Sequence, residues 1–121
     1  MAEKKVLFVD DNELNRIVME DMLEILFDEY EIETYESAED VLALDTSVYK
    51  IILSDIDMPK ISGFELYDKL RNEHNYTNPI IAVTALAVSG DKEKMLMHGF
   101  NDYISKPVDI NELETLLSKY L

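Results

Sequence analysis

Short apolar runs alternate with amphipathic stretches along this chain, and the alternation predicts its secondary structure. The runs at 6–9 and 80–83 contain no polar residue, which is typical of parallel strands covered on both faces. The stretches between such runs have the apolar spacing of helices. We predict strands at Lys5–Val9, Glu31–Tyr35, Lys50–Ser54, Ile80–Thr84 and Asp102–Ser105, and helices near Glu13–Asp28, Ala38–Asp45, Gly63–His74, Val88–His98 and Ile110–Tyr120.

Five strands alternating with five helices predict an α/β fold, a five-stranded parallel sheet with helices on both faces. No linker, repeat or low-complexity segment interrupts the pattern, so we expect one domain over residues 1–121. In sheets of this kind, ligands bind at the carboxyl ends of the strands. The residues that directly follow each strand are therefore the first candidates for a functional site.

The composition narrows the possible classes of protein. Hydrophobic residues make up 47% of the 121 residues, as in a globular domain, and no apolar stretch approaches membrane-spanning length. The chain has no cysteine, which excludes disulfides and thiolate chemistry. The first residues lead directly into a short apolar strand, so we expect no signal peptide and a cytoplasmic location.

The formal net charge of −15 bears on possible partners. A surface this acidic repels nucleic acid and anionic membranes, so we expect neither direct nucleic-acid binding nor membrane insertion. Residues 17–49 contain eleven acids and no lysine or arginine. This half of the chain is either a solvated acidic face or a surface that attracts basic partners, and the sequence leaves both open.

Polar residues follow four of the predicted strands and should meet at one edge of the sheet. Carboxylates about 5 Å apart repel by about 3 kcal/mol per pair at an effective dielectric constant of about 20, which favours a bound cation. An oxygen-only site with few protein ligands suits Mg²⁺, because room remains for water and a phosphate oxygen. The residues are Asp10 and Asp11 after the first strand, Asp55 and Asp57 after the third, Thr84 at the end of the fourth, and Lys106 after the fifth.

These side chains have the properties needed for phosphoryl transfer, which mainly requires positioning and charge neutralisation. Asp55 is the best candidate nucleophile because it follows a central strand and lies in the middle of the set. Lys106 can hold one phosphoryl oxygen as a point charge, and Thr84 can donate to another. Each residue alone has a structural explanation, since acids that open a helix stabilise its N-terminus. The complete set is much harder to explain in that way.

The sequence resembles the receiver domain of two-component response regulators. The motifs that carry the resemblance are VLFVDDNELNR (6–16), IILSDIDMPKISGFEL (51–66), PIIAVTALA (79–87) and GFNDYISKPVDINEL (99–113). They cover nearly the whole chain. The resemblance implies a flavodoxin-like fold with strand order 2-1-3-4-5.

The resemblance also implies roles for the acidic residues. Asp55 matches the aspartate that accepts the phosphoryl group. Asp11, Asp55 and the backbone carbonyl of Asp57 match the Mg²⁺ ligands, and Asp10 matches the acid that assists through bound water. The phosphoryl donor would be a phosphohistidine on a histidine kinase or a histidine phosphotransfer protein. The chain would catalyse only its own phosphorylation and dephosphorylation.

The switch residues follow from the same resemblance. Thr84 and the backbone N–H of Ala85 match the groups that contact the phosphoryl group, and Lys106 matches the lysine that pairs with it. The Lys106-Pro107 bond is expected to be cis. Tyr103 matches the aromatic residue that turns inward when Thr84 moves. Its movement would change the face formed by the fourth helix, fifth strand and fifth helix, where an unknown downstream protein would bind.

Three positions depart from the family pattern. Asp57 is acidic where the family is variable, which makes the pocket more negative. Leu86 is apolar where some relatives carry a polar residue that orients water, so Leu86→Glu should shorten the lifetime of the phosphoaspartate. Ser54 is polar within an apolar strand, and the sequence offers no explanation for it.

The first helix carries more apolar residues than one sheet face requires. Leu14, Val18 and Ile25 lie on one flank that begins beside Asp11, so a partner helix docked there would bring its phosphohistidine near Asp55. The alternative is that the fifth helix covers this flank.

Two other functions compete with a receiver. A phosphatase of the haloacid dehalogenase type also uses an Asp-x-Asp pair, which residues 55–57 mimic, but there the pair follows the first strand. A degenerate receiver that only binds proteins is the second, and the complete set of chemical residues makes it the weaker interpretation.

Overall fold

The computed structural model describes residues 5–85 and 91–121, and its centre is one five-stranded sheet. Every neighbouring pair of strands is parallel, in the order β2-β1-β3-β4-β5. This confirms the α/β fold and the strand order that the resemblance implies. The strands are β1 (Lys5–Val9), β2 (Glu31–Tyr35), β3 (Tyr49–Asp55), β4 (Ile80–Thr84) and β5 (Asp102–Ser105).

Four of the five strands have the predicted bounds, and β3 is longer by one residue at each end. The additional residue at the carboxyl end is Asp55 itself, which pairs in register with Val83 of β4. The candidate acceptor is therefore part of the sheet ladder rather than of the loop after it. Its backbone is held by β4, and the preceding residue Ser54 is paired with both β1 and β4, which fixes the direction of the Asp55 side chain.

The helices cover both faces of the sheet, but several end earlier than predicted. The predicted second helix extended to Asp45, but the observed helix ends at Leu42. Asp45 instead caps a short 3-10 helix at Thr46–Val48, with its carboxylate accepting from the Ser47 N–H. Residues 88–90 of the predicted fourth helix lie outside the described residues. The helices are α1 (Glu13–Leu26), α2 (Ala38–Leu42), α3 (Gly63–Asn72), α4 (Asp91–His98) and α5 (Ile110–Leu117).

Side-chain caps fix where four of the helices begin. Each cap accepts from a backbone N–H in the first turn, which replaces a bond that the helix cannot supply itself. The cap of α1 lies two residues after Asp10, so the helix itself starts three residues after Asp10. The cap of α3 belongs to a capping box in which Glu65 bonds back to Ser62. The four caps are Asn12, Ser37, Ser62 and Asp109.

Alternate residues of each strand contribute to two separate cores. One core packs the sheet against α1 and α5, and the other packs it against α2, α3 and α4. In β3, for example, Leu53 belongs to the first core and Ile52 to the second, as the two-residue period of a strand requires. Both cores leave the carboxyl edge of the sheet open. Within the described residues, no helix has the length and apolar character needed to cross a membrane.

Candidate functional site

The carboxyl edge of the central strands brings three aspartates together. Val9 pairs with Ser54 in the register of β1 and β3, so the residues that follow, Asp10 and Asp55, are neighbours. One carboxylate oxygen from each of Asp10, Asp11 and Asp55 lies within 4.8 Å of the others. Asp10 is 0% exposed and Asp55 is 4% exposed, whereas Asp11 faces solvent. The cluster therefore has a buried side and an open side.

Lys106 bridges the two buried acids of this cluster. Its Nζ atom lies 2.9 Å from Oδ2 of Asp10 and 3.0 Å from Oδ1 of Asp55. The lysine follows β5, and its backbone N–H donates to the carbonyl oxygen of Thr84 at 2.8 Å, which ties the loop to β4. The Lys106-Pro107 peptide bond is cis, as expected. One ammonium group thus pairs with two carboxylates, and the cluster keeps a net negative charge.

The environment raises the pKa of both Asp55 and Lys106, for different reasons. Burial raises the pKa of Asp55 to about 6, with the charges of Asp10 and Asp11 acting in the same direction and Lys106 acting against them. Burial alone would lower the pKa of the Lys106 ammonium, but its hydrogen bonds to Asp10 and Asp55 outweigh that effect and raise the pKa. Lys106 is therefore a cation at neutral pH.

Three residues of the DDNELNR motif that the sequence analysis left unassigned hold Asp10 in place. The Asn12 backbone N–H donates to Oδ1 of Asp10 at 2.9 Å, and the Asn15 side chain donates to Oδ2 at 3.2 Å. The Arg16 guanidinium donates to the Asp10 carbonyl oxygen at 2.8 Å. The sequence did contain a signal for these contacts. Asn15 and Arg16 are polar and lie five and six residues after Asp10, a spacing at which the first turn of α1 places them close to Asp10.

The loop between β3 and α3 presents Asp57 beside the cluster. Asp57 is exposed, and the chain on either side of it is held by buried contacts. The Ser54 hydroxyl donates to the Asp55 carbonyl oxygen at 2.8 Å, and the Gly63 N–H donates to the Ile56 carbonyl oxygen at 2.9 Å. The polar residue in β3 therefore has a role that the sequence did not predict, which is to satisfy a buried carbonyl group.

The predicted switch residues lie on neighbouring strands. Thr84 is buried at the end of β4, and Ala85 follows it as an exposed residue. Tyr103 is half-buried in β5, packs at the margin of the core beneath α4, and lies with its ring centroid 5.5 Å from Nζ of Lys92 on α4. This distance is within the range of a cation–π interaction. Leu86 lies outside the described residues.

The apolar flank of α1 is open to solvent. The exposed fractions of Leu14, Val18 and Ile25 are 66%, 45% and 73%. The alternative, in which the fifth helix covers this flank, is therefore wrong. We refer to these three residues as the α1 stripe. The stripe borders a cavity of about 200 Å³ between α1 and the loop after β5, where Val18 and Met22 face Pro107 and Val108.

Comparison with known proteins identifies the class to which this fold and site belong. Residues 6–118 match the family described as response regulator receiver domain. The chain belongs to this family, the receiver domains of phosphorelay signalling. The match decides against the phosphatase alternative.

Individual relatives match over nearly the full length of the chain. An uncharacterized 14.6 kDa protein of Leptolyngbya boryana is 39% identical over 99% of this chain and 92% of its own. The polar-differentiation response regulator DivK of Brucella ovis is 35% identical over 98% of this chain and 96% of its own. The receiver domain of sensor histidine kinase PA1611 from Pseudomonas aeruginosa, solved with a magnesium ion coordinated in its active-site cleft, is 32% identical, with a TM-score of 0.83 over 98% and 97% of the two chains.

Proposed function

We propose that this chain is a signalling switch in which Asp55 accepts a phosphoryl group from a phosphohistidine. The observation that carries the proposal is the buried Asp55 carboxylate, bridged by Lys106 and flanked by Asp10 and Asp11 at the open edge of the sheet. An oxygen of Asp55 forms a bond to phosphorus while the bond from phosphorus to the histidine nitrogen breaks. The imidazole leaves with the electron pair of that bond.

The donor set of the cluster fits Mg²⁺. It offers the carboxylates of Asp10, Asp11 and Asp55, and it includes neither histidine nor cysteine. Hard oxygen ligands of this kind are those that Mg²⁺ prefers. In the proposal Asp11, Asp55 and the Asp57 carbonyl oxygen hold the ion, with Asp10 acting through water. The ion neutralises charge on the phosphoryl oxygens.

Lys106, Thr84 and Ala85 complete the proposed phosphoryl site. The Lys106 ammonium is already 3.0 Å from Oδ1 of Asp55, and its charge suits a phosphoryl oxygen at the same place. Thr84 ends β4, the strand next to β3, and Ala85 follows it, so in the proposal both contact the phosphoryl group from the side of Asp55 toward β5.

Tyr103 is the proposed link from this site to the partner-binding face. Movement of Thr84 toward the phosphoryl group would open space beside β5, and inward rotation of Tyr103 would fill it. That rotation removes the ring from Lys92 and so changes the α4–β5–α5 face, where we place the downstream protein.

The α1 stripe is the proposed docking site for the phosphohistidine donor, a histidine kinase or histidine phosphotransfer protein. The stripe adjoins the phosphorylation site and is flanked on the same helix by exposed acids, Asp21 and Glu24. Apolar contact surrounded by negative charge fits a partner surface with apolar residues surrounded by lysine or arginine. The proposed location of the interaction is the cytoplasm.

The first test is incubation of the protein with Mg²⁺ and acetyl phosphate, followed by mass measurement. We expect one added phosphoryl group, lost on removal of Mg²⁺ with a chelator and lost in Asp55→Asn. The exposed acid Asp28 provides the control variant Asp28→Asn, which should keep the adduct. No adduct in wild-type protein with either acetyl phosphate or a phosphohistidine donor would contradict the proposal and favour a receiver that only binds proteins.

The docking proposal requires a comparison of two phosphodonors. Val18→Lys should slow phosphorylation by the protein donor about tenfold or more while leaving phosphorylation by acetyl phosphate unchanged. Met97→Lys places the same charge on another exposed apolar residue, in α4, and should slow neither reaction. Equal slowing of both reactions by Val18→Lys would exclude the α1 stripe as the docking site.

A further inference from the structure

The buried carboxylate of Asp10 has more donors than its proposed role in the phosphoryl site requires. Its Oδ2 atom accepts from two side chains, the Lys106 ammonium at 2.9 Å and the Asn15 amide at 3.2 Å. Lys106 is shared, because the same Nζ atom also lies 3.0 Å from Asp55. Within residues 5–85 and 91–121, the Asn15 amide donates to Asp10 and pairs with no second acid.

Phosphorylation of Asp55 would change how Lys106 is shared between Asp10 and Asp55. Phosphorylation replaces the single negative charge of the Asp55 carboxylate with a phosphoryl group that carries roughly two, so the Lys106 ammonium shifts toward it and away from Asp10. Asp10 is 0% exposed, so bulk solvent does not replace a protein donor that moves away from it. A buried carboxylate oxygen left with no side-chain donor is strongly destabilised, and Oδ2 of Asp10 would be in that state if Lys106 shifted and Asn15 were absent.

We propose that Asn15 is a positioning residue that keeps Asp10 satisfied and thereby allows Lys106 to shift onto the phosphoryl group. The inference rests on the proposed function. An amide suits this role better than a second ammonium would, because it donates a hydrogen bond without adding positive charge to a site that must attract a cation. The Asn12 N–H at 2.9 Å from Oδ1 holds the other oxygen of the same carboxylate.

The Asn15 side chain does not serve the start of α1. The backbone N–H of Asn15 donates to the side-chain oxygen of Asn12, the N-cap, at 3.0 Å, and that bond is independent of the residue type at position 15. Leucine is close in size to asparagine and is a better helix former. Asn15→Leu therefore removes the amide donor while preserving the helix.

The test measures the rate of Asp55 phosphorylation by acetyl phosphate at fixed Mg²⁺, together with the urea midpoint of the unmodified protein. A small-molecule donor is necessary because Asn15 lines the same cavity as Leu14 and Val18. We expect Asn15→Leu to slow phosphorylation about tenfold, the change that corresponds to loss of one hydrogen bond to a charged group. The urea midpoint should stay close to that of wild type, because Lys106 still pairs with Asp10 before phosphorylation.

Two further variants complete the experiment. Asn111→Leu, at an exposed position of α5, should leave the rate unchanged. Asn15→Gln keeps an amide donor and should recover part of the lost rate, whereas a glutamine variant as slow as the leucine variant would count against the inference.

The outcomes separate this inference from the proposed function. Wild-type rates in Asn15→Leu overturn the inference and leave the function standing, as does a parallel loss of rate and urea midpoint, which would mean a purely structural role. Failure of the wild-type protein itself to be phosphorylated overturns both.

Discussion

The hydroxyl group of Ser54 is 1% exposed and donates to the carbonyl oxygen of Asp55 at 2.8 Å. In Ser54→Ala that carbonyl group remains buried without this donor, so we expect the free energy of unfolding to fall by about 1–2 kcal/mol. Urea unfolding measures the change. Ser118→Ala, at an exposed position, should have little effect on the free energy of unfolding. An equal loss in both variants would show that the buried hydrogen bond of Ser54 does not stabilise the fold.

The buried carboxylate of Asp55 should make stability depend on pH. Its pKa of about 6 lies above the unfolded value of 3.8, so the folded state binds more protons between these two values. The stability that protonation of Asp55 provides is fully present below about pH 4 and is lost as the pH rises through 6. Asp55→Asn lacks this loss. In chelator, the variant should therefore gain up to about 3 kcal/mol over wild type between pH 4 and 7.5.

Urea titrations of both proteins across that range check the expectation. A constant difference between Asp55→Asn and wild type at all pH values would show that Asp55 is ionised throughout.

At the scale of residues, the acids were predictable and their donors were not. The positions of Asp10, Asp11 and Asp55 follow from where strands end, because the carboxyl ends of parallel strands meet at one edge. The Asn15 amide lies 3.2 Å from the Asp10 carboxylate, and the Ser54 hydroxyl lies 2.8 Å from a backbone carbonyl oxygen. The apolar and polar pattern of a sequence carries no information at that precision.

The start of α3 requires a residue without a side chain. A Cβ atom at Gly63 would lie 2.4 Å from the Asp55 carbonyl oxygen and 2.8 Å from the Ile56 Cα atom, and both belong to the backbone. Since neither can move aside cheaply, Gly63→Ala should lower the free energy of unfolding by about 2 kcal/mol or more. The displaced loop also carries Asp57, so Mg²⁺ should bind more weakly.

Chemical unfolding and a Mg²⁺ titration followed by NMR measure both effects of Gly63→Ala. Alanine at the exposed helical position Asn111 provides the control and should change neither. If Gly63→Ala is destabilised but binds Mg²⁺ as tightly as wild type, the packing of α3 does not set the position of Asp57, and the second part of the prediction is wrong.

At the scale of elements, the strands and the starts of helices were predicted better than the ends of helices. Caps such as Ser62 and Asp109 are readable from residue type, because a short polar side chain must precede the first turn. The predicted ends of α2 and α5 ran three residues too far. In both cases the sequence remains compatible with a helix, but the chain tightens into turns in which the Leu44 N–H donates to the Val41 carbonyl oxygen and the Tyr120 N–H to the Leu117 carbonyl oxygen.

For the molecule as a whole, a net charge of −15 opposes folding through self-repulsion. Raising NaCl from about 20 mM to 300 mM shortens the screening length and should raise the midpoint of thermal unfolding by roughly 3–5 °C, about 1 kcal/mol. The variant Glu24→Lys/Glu29→Lys, less negative by four charges, should show a smaller rise. An equal rise in both proteins would mean that salt acts through something other than charge repulsion.

The same charge has a consequence for the α1 stripe. An exposed apolar surface would ordinarily make copies of a protein adhere to one another, yet two copies of this chain approach each other as strongly like-charged particles. Repulsion between copies therefore protects the stripe at a distance, while a basic partner meets no such barrier. Near the isoelectric point of about 4.3 this protection disappears. Light scattering should then detect clusters in wild-type protein at acid pH, and Val18→Lys should form fewer of them.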